Sequence, residues 1–296
     1  MQLSQKGFEL DLGLLLKNLV VFATGQSRFL TVGKLSMDTL QKAWKDSCTG
    51  LEFALNFLKN NAGIDSPALL SSPSIMITLA YHGYRRDYQI NSSESERLRF
   101  WLLIANAKGR YSRGSSETLL DQDLSTLKNE KGATELIDRL RSQVGRLDIT
   151  LDELEGRNRR SALFKTMFLA FRAASAKDWR SNIAIALDLS GKQHKLQFHH
   201  IFPKAILKKK YQDREADDIA NLSFIGGKTN RAISDKSPSE YFPTYVEKSG
   251  QATFDAQCIP TDEKFLKVEN FKEFVVRRRE LIVERLNDFL GVKSGI

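Results

Sequence analysis

Apolar and polar positions repeat with helical spacing over most of the chain before residue 190. Apolar residues recur every three or four positions in stretches that begin with a polar cap or a Gly, Pro or Ser break, a pattern that predicts amphipathic helices. The predicted helices cover residues 8–23, 36–61, 72–84, 93–107, 115–129, 132–145 and 158–175. Because the connections between them are short, residues 1–188 are predicted to form a packed helical domain.

The periodicity changes near Ser190. "HKLQFHH" at 194–200 alternates as a strand does, and "ANLSFIGG" at 220–227 has the pattern of a second short strand. A turn into a helix follows at 229–242, and a last helix covers 269–291. We therefore predict an α+β protein in which residues 189–296 form a small mixed domain that ends in a helix.

Composition agrees with a folded protein of two domains. The chain has 296 residues, of which 41% are hydrophobic and 27% charged, enough to bury more than one core. Its two cysteines, Cys48 and Cys258, are too few for a disulfide framework or a zinc knuckle, so any metal is expected on nitrogen and oxygen ligands. No apolar run approaches the roughly 18 residues of a membrane span, and no signal-peptide pattern is present. These features predict a cytoplasmic protein without membrane contact.

Positive charge favours a polyanionic partner, because Lys and Arg gain affinity for nucleic acid by releasing its counterions. The formal net charge is +9. One basic run, Lys208, Lys209 and Lys210, lies between the two predicted strands and could follow a DNA backbone. A second run, residues 277–279, lies within a predicted helix, where consecutive side chains fan around the axis and cannot all face one duplex. For both runs, DNA contact and a solvated surface are alternative explanations.

A further candidate is the segment "GRYSRGSSET" at 109–118. Arg110, Tyr111 and Arg113 suit a contact with phosphate or with another domain. The alternative is a connecting loop in which Ser115 or Ser116 caps the next helix.

Three of the four histidines, His194, His199 and His200, fall within seven residues. Cleavage of a phosphodiester at neutral pH needs a base that activates water, a cation that neutralises charge on phosphate, and a rigid scaffold. A strand ending in His199 and His200, a second strand beginning at Asn221 and a helix containing Asn230 could supply all three. The order His-His, Asn, Asn is the pattern of the His-Asn-His nuclease finger with the final histidine replaced. His194 has no partner in this pattern.

The motifs "HHIFPKAIL", "ANLSFI" and "KTNRAISDKSPSEYF" resemble the C-terminal nuclease domain of GmrSD-type, modification-dependent restriction enzymes. Residues 100–124 are similar to the helical segment that joins the nuclease to an N-terminal sensor domain in those proteins. The resemblance therefore implies a linking or regulatory role for residues 1–188, and DNA contact by this domain is a further expectation. The resemblance implies a ββα-metal (HNH) nuclease domain with a C-terminal helix. Members usually begin with a nucleotide-binding, ParB-like sensor domain marked by Asp-Gly-Gln-Gln-Arg, which this sequence lacks. We therefore expect a sensor domain or subunit that is absent from this chain.

The resemblance also implies roles for individual residues. His199 would be a metal ligand and His200 the general base, with Asn230 completing the protein ligands of an Mg²⁺ or Mn²⁺ ion. Asn221, the second catalytic residue, would brace the loop and orient His200. The opposite assignment of the two histidines stays open, because neighbouring strand residues point to opposite faces.

Two basic residues flank the predicted ligand on its helix. Lys228 and Arg231 could reach phosphate or could be solvated, and with the lysines at 208–210 they are the predicted nucleic-acid-binding residues.

The predicted function is a metal-dependent DNA endonuclease, a nickase or a double-strand cutter, from an anti-phage restriction system that acts on modified phage DNA. The alternative is a catalytically inactive DNA-binding or assembly module on the same scaffold. Whether the chain is a fragment of a longer protein stays open.

Overall fold

The protein is mostly helical, with one two-stranded antiparallel sheet and a long last helix, in a computed structural model that describes residues 8, 10–129, 131–188 and 195–292. The chain divides into two compact units, residues 1–147 and 148–296. This division lies well before the predicted domain boundary at 188/189. The predicted boundary borders residues 189–194, which lie outside the described residues, and His194 is one of them. None of the described helices is long and apolar enough to cross a membrane.

The described part of the N-terminal unit contains six α-helices, several of which begin at a polar cap. Ser36, Asn91 and Ser115 each accept a hydrogen bond from a backbone N–H in the first turn, which satisfies a donor that the helix leaves unpaired. Gly63 and Gly109 end their helices with positive φ, which glycine adopts at little cost. The six helices are α1 (Leu12–Thr24), α2 (Met37–Ala62), α3 (Ser74–Arg85), α4 (Ser92–Lys108), α5 (Ser116–Lys128) and α6 (Ala133–Val144).

The segment around Arg110 forms a buried polar cluster. The Arg110 guanidinium donates to both carboxylate oxygens of Asp123 at 2.6 Å, and the Tyr111 hydroxyl donates to the same carboxylate at 2.6 Å. Arg110 and Asp123 are fully buried, so each needs the other to compensate its charge. Arg110 and Tyr111 are therefore structural residues rather than phosphate contacts, and Ser115 caps α5 as the alternative explanation predicted.

The C-terminal unit contains the sheet. Strand β1 (Leu196–His200) pairs antiparallel with β2 (Leu222–Gly226), so that His199 lies opposite Ser223 and His200 opposite Leu222. The connection between the strands contains two single-turn helices. The helices of this unit are α7 (Leu151–Leu154), α8 (Ala162–Ala173), α9 (Lys204–Leu207), α10 (Asp213–Ala216), α11 (Gly227–Ile233), α12 (Pro238–Ser249), α13 (Gln251–Asp255) and α14 (Phe271–Leu290).

An aromatic cluster joins α8 to the sheet. The ring of Phe224 on β2 lies 5.1–6.0 Å, between centroids, from those of Phe164, Phe168 and Phe171 on α8 and Phe198 on β1. Aromatic pairs at these distances add attraction beyond the area that they bury. Because α8 covers one face of the sheet, it belongs to the same compact unit as the strands.

Buried polar side chains satisfy backbone groups around β2. The Gln257 amide accepts from the Phe224 N–H and donates to the Phe224 carbonyl, both at 2.9 Å. Arg278 on α14 is fully buried and donates to the backbone carbonyls of Ala220, Gln257 and Cys258. Burial lowers the pKa of this guanidinium to about 10. These contacts tie the last helix to the segment that leads into β2.

The basic run at 277–279 has three different environments. Arg277 pairs with Glu280 at 2.8 Å, and Arg279 pairs with Asp218. Arg278 is inaccessible, so DNA contact by the whole run is excluded. The helical fan predicted from the sequence accounts for this difference.

Replacing Arg278 by methionine should lower the free energy of unfolding by about 3 kcal/mol, since three buried carbonyls would lose their donor. Arg277→Met is the matched control, because Arg277 is exposed and its ion pair contributes little. Urea unfolding followed by circular dichroism measures both. Equal stability of the two variants would contradict the structural role of Arg278.

Candidate active site

The paired histidines occupy the last two positions of β1. Successive side chains of a strand point to opposite faces of the sheet, so His199 and His200 enter different surroundings. His199 is 3% exposed, whereas the His200 side chain is 27% exposed.

His199 lies in an aromatic enclosure beside the helix that follows β2. Its ring packs edge-to-face against Trp179 at 5.7 Å, and Nε2 lies 3.5 Å from the Tyr241 hydroxyl, which donates to the Ile201 carbonyl. Nδ1 lies 2.8 Å from Asn230 Oδ1. Burial lowers the pKa of His199 to about 4, so the imidazole is neutral at pH 7.

Asn230 is held in place by a buried carboxylate at the start of α11. Asp178 accepts hydrogen bonds from the Gly226 N–H at 2.7 Å and from the Thr229 hydroxyl at 2.8 Å. Burial acts to raise the pKa of Asp178, but hydrogen bonds from the Ser181 and Gly226 backbone and from the Thr229 and Ser181 hydroxyls lower it overall. An ionised Asp178 at a helix N-terminus is favourable, and it fixes the turn that carries Asn230.

His200 is bound to an exposed ion pair. Its Nε2 lies 3.0 Å from Asp217 Oδ1, and Lys204 Nζ lies 2.7 Å from Asp217 Oδ2. Burial lowers the pKa of His200, and the hydrogen bond to Asp217 opposes only part of this effect. His200 lines a surface pocket of about 250 Å³, together with Asn158, Arg159, Arg160, Phe198, Lys204, Asp217 and Leu222.

Asn221 connects the two sides of the loop that follows β1. Its amide accepts from the Phe202 N–H at 2.9 Å and donates to the carbonyls of Phe202 and Ala216 at 3.0 and 2.9 Å. Its own carbonyl accepts from the Ile201 N–H. The fully buried side chain therefore holds the backbone directly after His200.

The predicted DNA-binding residues lie on two separate segments. The lysines at 208–210 follow α9 and are exposed, and Lys210 Nζ lies 3.4 Å from a carboxylate oxygen of Glu269. Lys228 and Arg231 are exposed on α11, on either side of Asn230. Their contact with nucleic acid stays a prediction.

The pair His199 and Asn230 fits a hydrated divalent cation. The Nδ1–H of His199 donates to Asn230 Oδ1 at 2.8 Å, so the two atoms already meet, and together they would hold the cation in place of the shared hydrogen. A neutral imidazole is the form that binds metal. Among the described residues, no group of three His, Cys, Asp or Glu side chains could hold a metal ion. Water and substrate oxygens would have to supply the other ligands.

Two antiparallel strands, followed at once by a helix that brings Asn230 to His199, define an HNH-like nuclease domain. Residues 145–284 of the chain belong to the family described as GmrSD restriction endonucleases, C-terminal domain. The family predicted from the motifs is confirmed. Membership suggests a nuclease with DNA as substrate, in a family that is typically metal-dependent. The match begins after residues 100–124, so the likeness of that segment stays a prediction.

The chain is also similar to uncharacterized protein MJ0686 of Methanocaldococcus jannaschii. The two are 22% identical over an alignment of 250 residues that covers 74% of this chain. The chain spans 41% of the length of that relative.

Several residues around the histidines were not predicted from the sequence. Asp217 directly precedes Asp218 before the second strand, and Tyr241 lies within a motif that carried the resemblance. The sequence predicts Arg159 and Arg160 at the start of a helix, whereas in the structure they lie on the loop before α8. Neither spacing nor periodicity indicates that these residues reach β1, because each arrives from a different element through tertiary contacts.

Replacing Asn221 by alanine should lower the free energy of unfolding by about 3 kcal/mol, because three backbone groups of a buried loop would lose their partners. Asn270→Ala is a suitable control, since that amide makes one exposed hydrogen bond. Thermal and urea unfolding compare the two. An Asn221→Ala protein as stable as the control would show that the loop does not depend on this amide.

Proposed function

We propose that this chain hydrolyses DNA phosphodiesters as an endonuclease that requires Mg²⁺ or Mn²⁺. The observation that carries the proposal is the 2.8 Å approach of His199 Nδ1 to Asn230 Oδ1, at the junction of β1 and α11 within the family domain. These two side chains lie on different elements, and both are uncharged metal ligands. Such ligands suit a cation that keeps several of its water molecules.

His199 and Asn230 would hold the metal. When bound there, the cation would neutralise the charge that develops on the scissile phosphate. Asn230 is only half-buried, so substrate could approach the pair from its side, while Trp179 and Tyr241 enclose the other side of His199. This enclosure fixes the imidazole orientation before substrate arrives.

His200 would act as the general base. Hydrogen bonds hold the pKa of Asp217 below its usual value against the raising effect of burial, so the carboxylate accepts the Nε2 hydrogen of His200. Nδ1 then carries the lone pair that takes a proton from the attacking water. The water oxygen bonds to phosphorus, the ester P–O bond breaks, and the leaving oxygen is protonated by solvent.

The surroundings of the two histidines favour this assignment over its reverse. His199 contacts Asn230 and has little exposure, as a ligand in a prepared site would, whereas His200 lines an open pocket. Asn221 would hold the loop after His200 and contact no substrate, a positioning role that differs from direct catalysis. Lys228, Arg231 and the lysines at 208–210 would contact phosphates on either side of the scissile bond.

The biological setting that we propose is restriction of phage DNA, including DNA with modified bases. The family description supports restriction as the context. A single nuclease finger cuts one strand at a time, so nicking would be the elementary reaction. A nucleotide-binding sensor domain or subunit outside this sequence would supply the recognition of modification.

The wild-type chain should nick supercoiled plasmid in Mg²⁺ or Mn²⁺, and His200→Ala should lower the rate at least about 100-fold through loss of the base. Gln197→Ala, a partly exposed residue of the same strand, is the matched control and should cut normally. Agarose electrophoresis of time courses measures conversion to open circles. Equal nicking by His200→Ala would reject the catalytic role, and an inactive wild type would favour the DNA-binding module.

Asn230→Ala should weaken Mn²⁺ binding about tenfold or more, measured by calorimetry on the folded variant. Asn230→Asp should retain the affinity, because it keeps an oxygen ligand. Asn158→Ala, an exposed amide in the pocket of His200, is the control for general effects. Unchanged Mn²⁺ affinity in Asn230→Ala would place the cation elsewhere.

A further inference from the structure

The pocket beside His200 contains more positive charge than the proposed chemistry uses. Arg159, Arg160 and Lys204 line it, against the single carboxylate of Asp217. With His200 neutral, three positive charges and one negative charge leave a net charge of +2. Lys204 is already paired with Asp217, whereas among the described residues neither Arg159 nor Arg160 has an ion-pair partner.

The two arginines lie on a loop that is fastened to the segment around Asp217. The Gly156 N–H donates to the Asp218 carboxylate at 3.1 Å, and the Arg157 carbonyl accepts from the Ile219 N–H at 2.8 Å. Within the loop, the Asn158 side chain accepts from the Arg160 N–H at 2.9 Å. The segment that presents Asp217 to His200 therefore also anchors the arginines, so less ordering of the loop is needed when a ligand binds.

An apolar wall completes the pocket. Phe198 on β1 points to the same face as His200 because the two are separated by two positions. Phe198 is 41% exposed, although its ring packs edge-to-face against Phe164 and Phe224. An exposed aromatic surface next to two exposed guanidinium groups suits a nucleotide, whose sugar contacts the ring while the phosphate binds the arginines.

We infer that Arg159 and Arg160 bind a backbone phosphate of the DNA substrate, adjacent to the phosphate attacked with the help of His200. The guanidinium fork matches two phosphate oxygens at once, which a lysine cannot do. This inference takes from the proposed function only that the ligand is DNA. It adds a contact surface on the loop before α8, distinct from the lysines at 208–210 and from the basic residues of α11.

Binding to a fluorescein-labelled, unmodified duplex of about 20 base pairs tests the site when measured by anisotropy over about 50 to 300 mM KCl. EDTA in the buffer removes divalent metal and prevents cleavage. The double variant Arg159→Ala/Arg160→Ala should bind at least about tenfold more weakly at low salt. Its plot of log affinity against log salt should be less steep by about 1.8, the loss expected for two phosphate contacts.

The double variant Lys272→Ala/Arg277→Ala is the matched control. It removes the same charge from exposed side chains that are paired with Glu215 and Glu280, and it should bind nearly as the wild type does. Arg159→Lys/Arg160→Lys should keep most of the dependence of affinity on salt but lose part of the affinity. The positive charge remains in this variant, whereas the guanidinium that binds two phosphate oxygens is lost. Circular dichroism melts verify that all variants are folded.

Equal effects of the two alanine double variants would overturn the inference, because general electrostatics would then explain them. A wild-type chain that does not bind the duplex would overturn it as well. The binding measurement requires no cleavage, so its result is independent of the nicking assay. If the wild type fails to nick plasmid but the arginine double variant loses DNA binding, the site is supported and the nuclease proposal is rejected.

Discussion

A two-stranded sheet has marginal stability by itself in water. The two histidines of this protein lie at the end of such a sheet, which has two strands of five residues each. The two strands therefore depend on packing against other elements of the unit, and the position of both histidines depends on that packing. Helix α8 covers one face through Phe224, and the Gln257 amide pairs with the backbone of the same residue. Arg278 attaches the last helix to the approach of β2. Because these supports are buried and directional, they hold the end of β1 in one position.

The alternation of β1 gives the two histidines separate chemical environments. On one face, aromatic burial keeps His199 neutral and an asparagine approaches it from a helix whose first turn is fixed by Asp178. On the other face, His200 meets a carboxylate, a lysine and an arginine-bearing loop. A ligand role and a base role need such different surroundings, which a single pocket would provide less easily.

Much of this organisation could be predicted from the sequence, and its limits have physical causes. The helices of the N-terminal unit follow from three- and four-residue periodicity and polar caps, as Ser36 and Ser115 illustrate. The family was recognised from three short motifs, and the match over residues 145–284 confirms it. Charge was less informative, because Arg278 is buried and Arg110 pairs with Asp123 inside the N-terminal unit. A basic residue has the same sequence signal whether it faces a phosphate or a buried carbonyl.

The elements and their order can be predicted from the amino-acid sequence alone: a helical region, then a strand ending in two histidines, a second strand beginning at Asn221 and a helix with Asn230. Local spacing is enough for this, because backbone periodicity acts over a few residues. Three contacts at the site come from tertiary packing instead: His199 reaches Asn230, Asp217 bridges His200 and Lys204, and Arg159 and Arg160 line the same pocket. These contacts join elements far apart in the chain, and the packing of the aromatic core selects them.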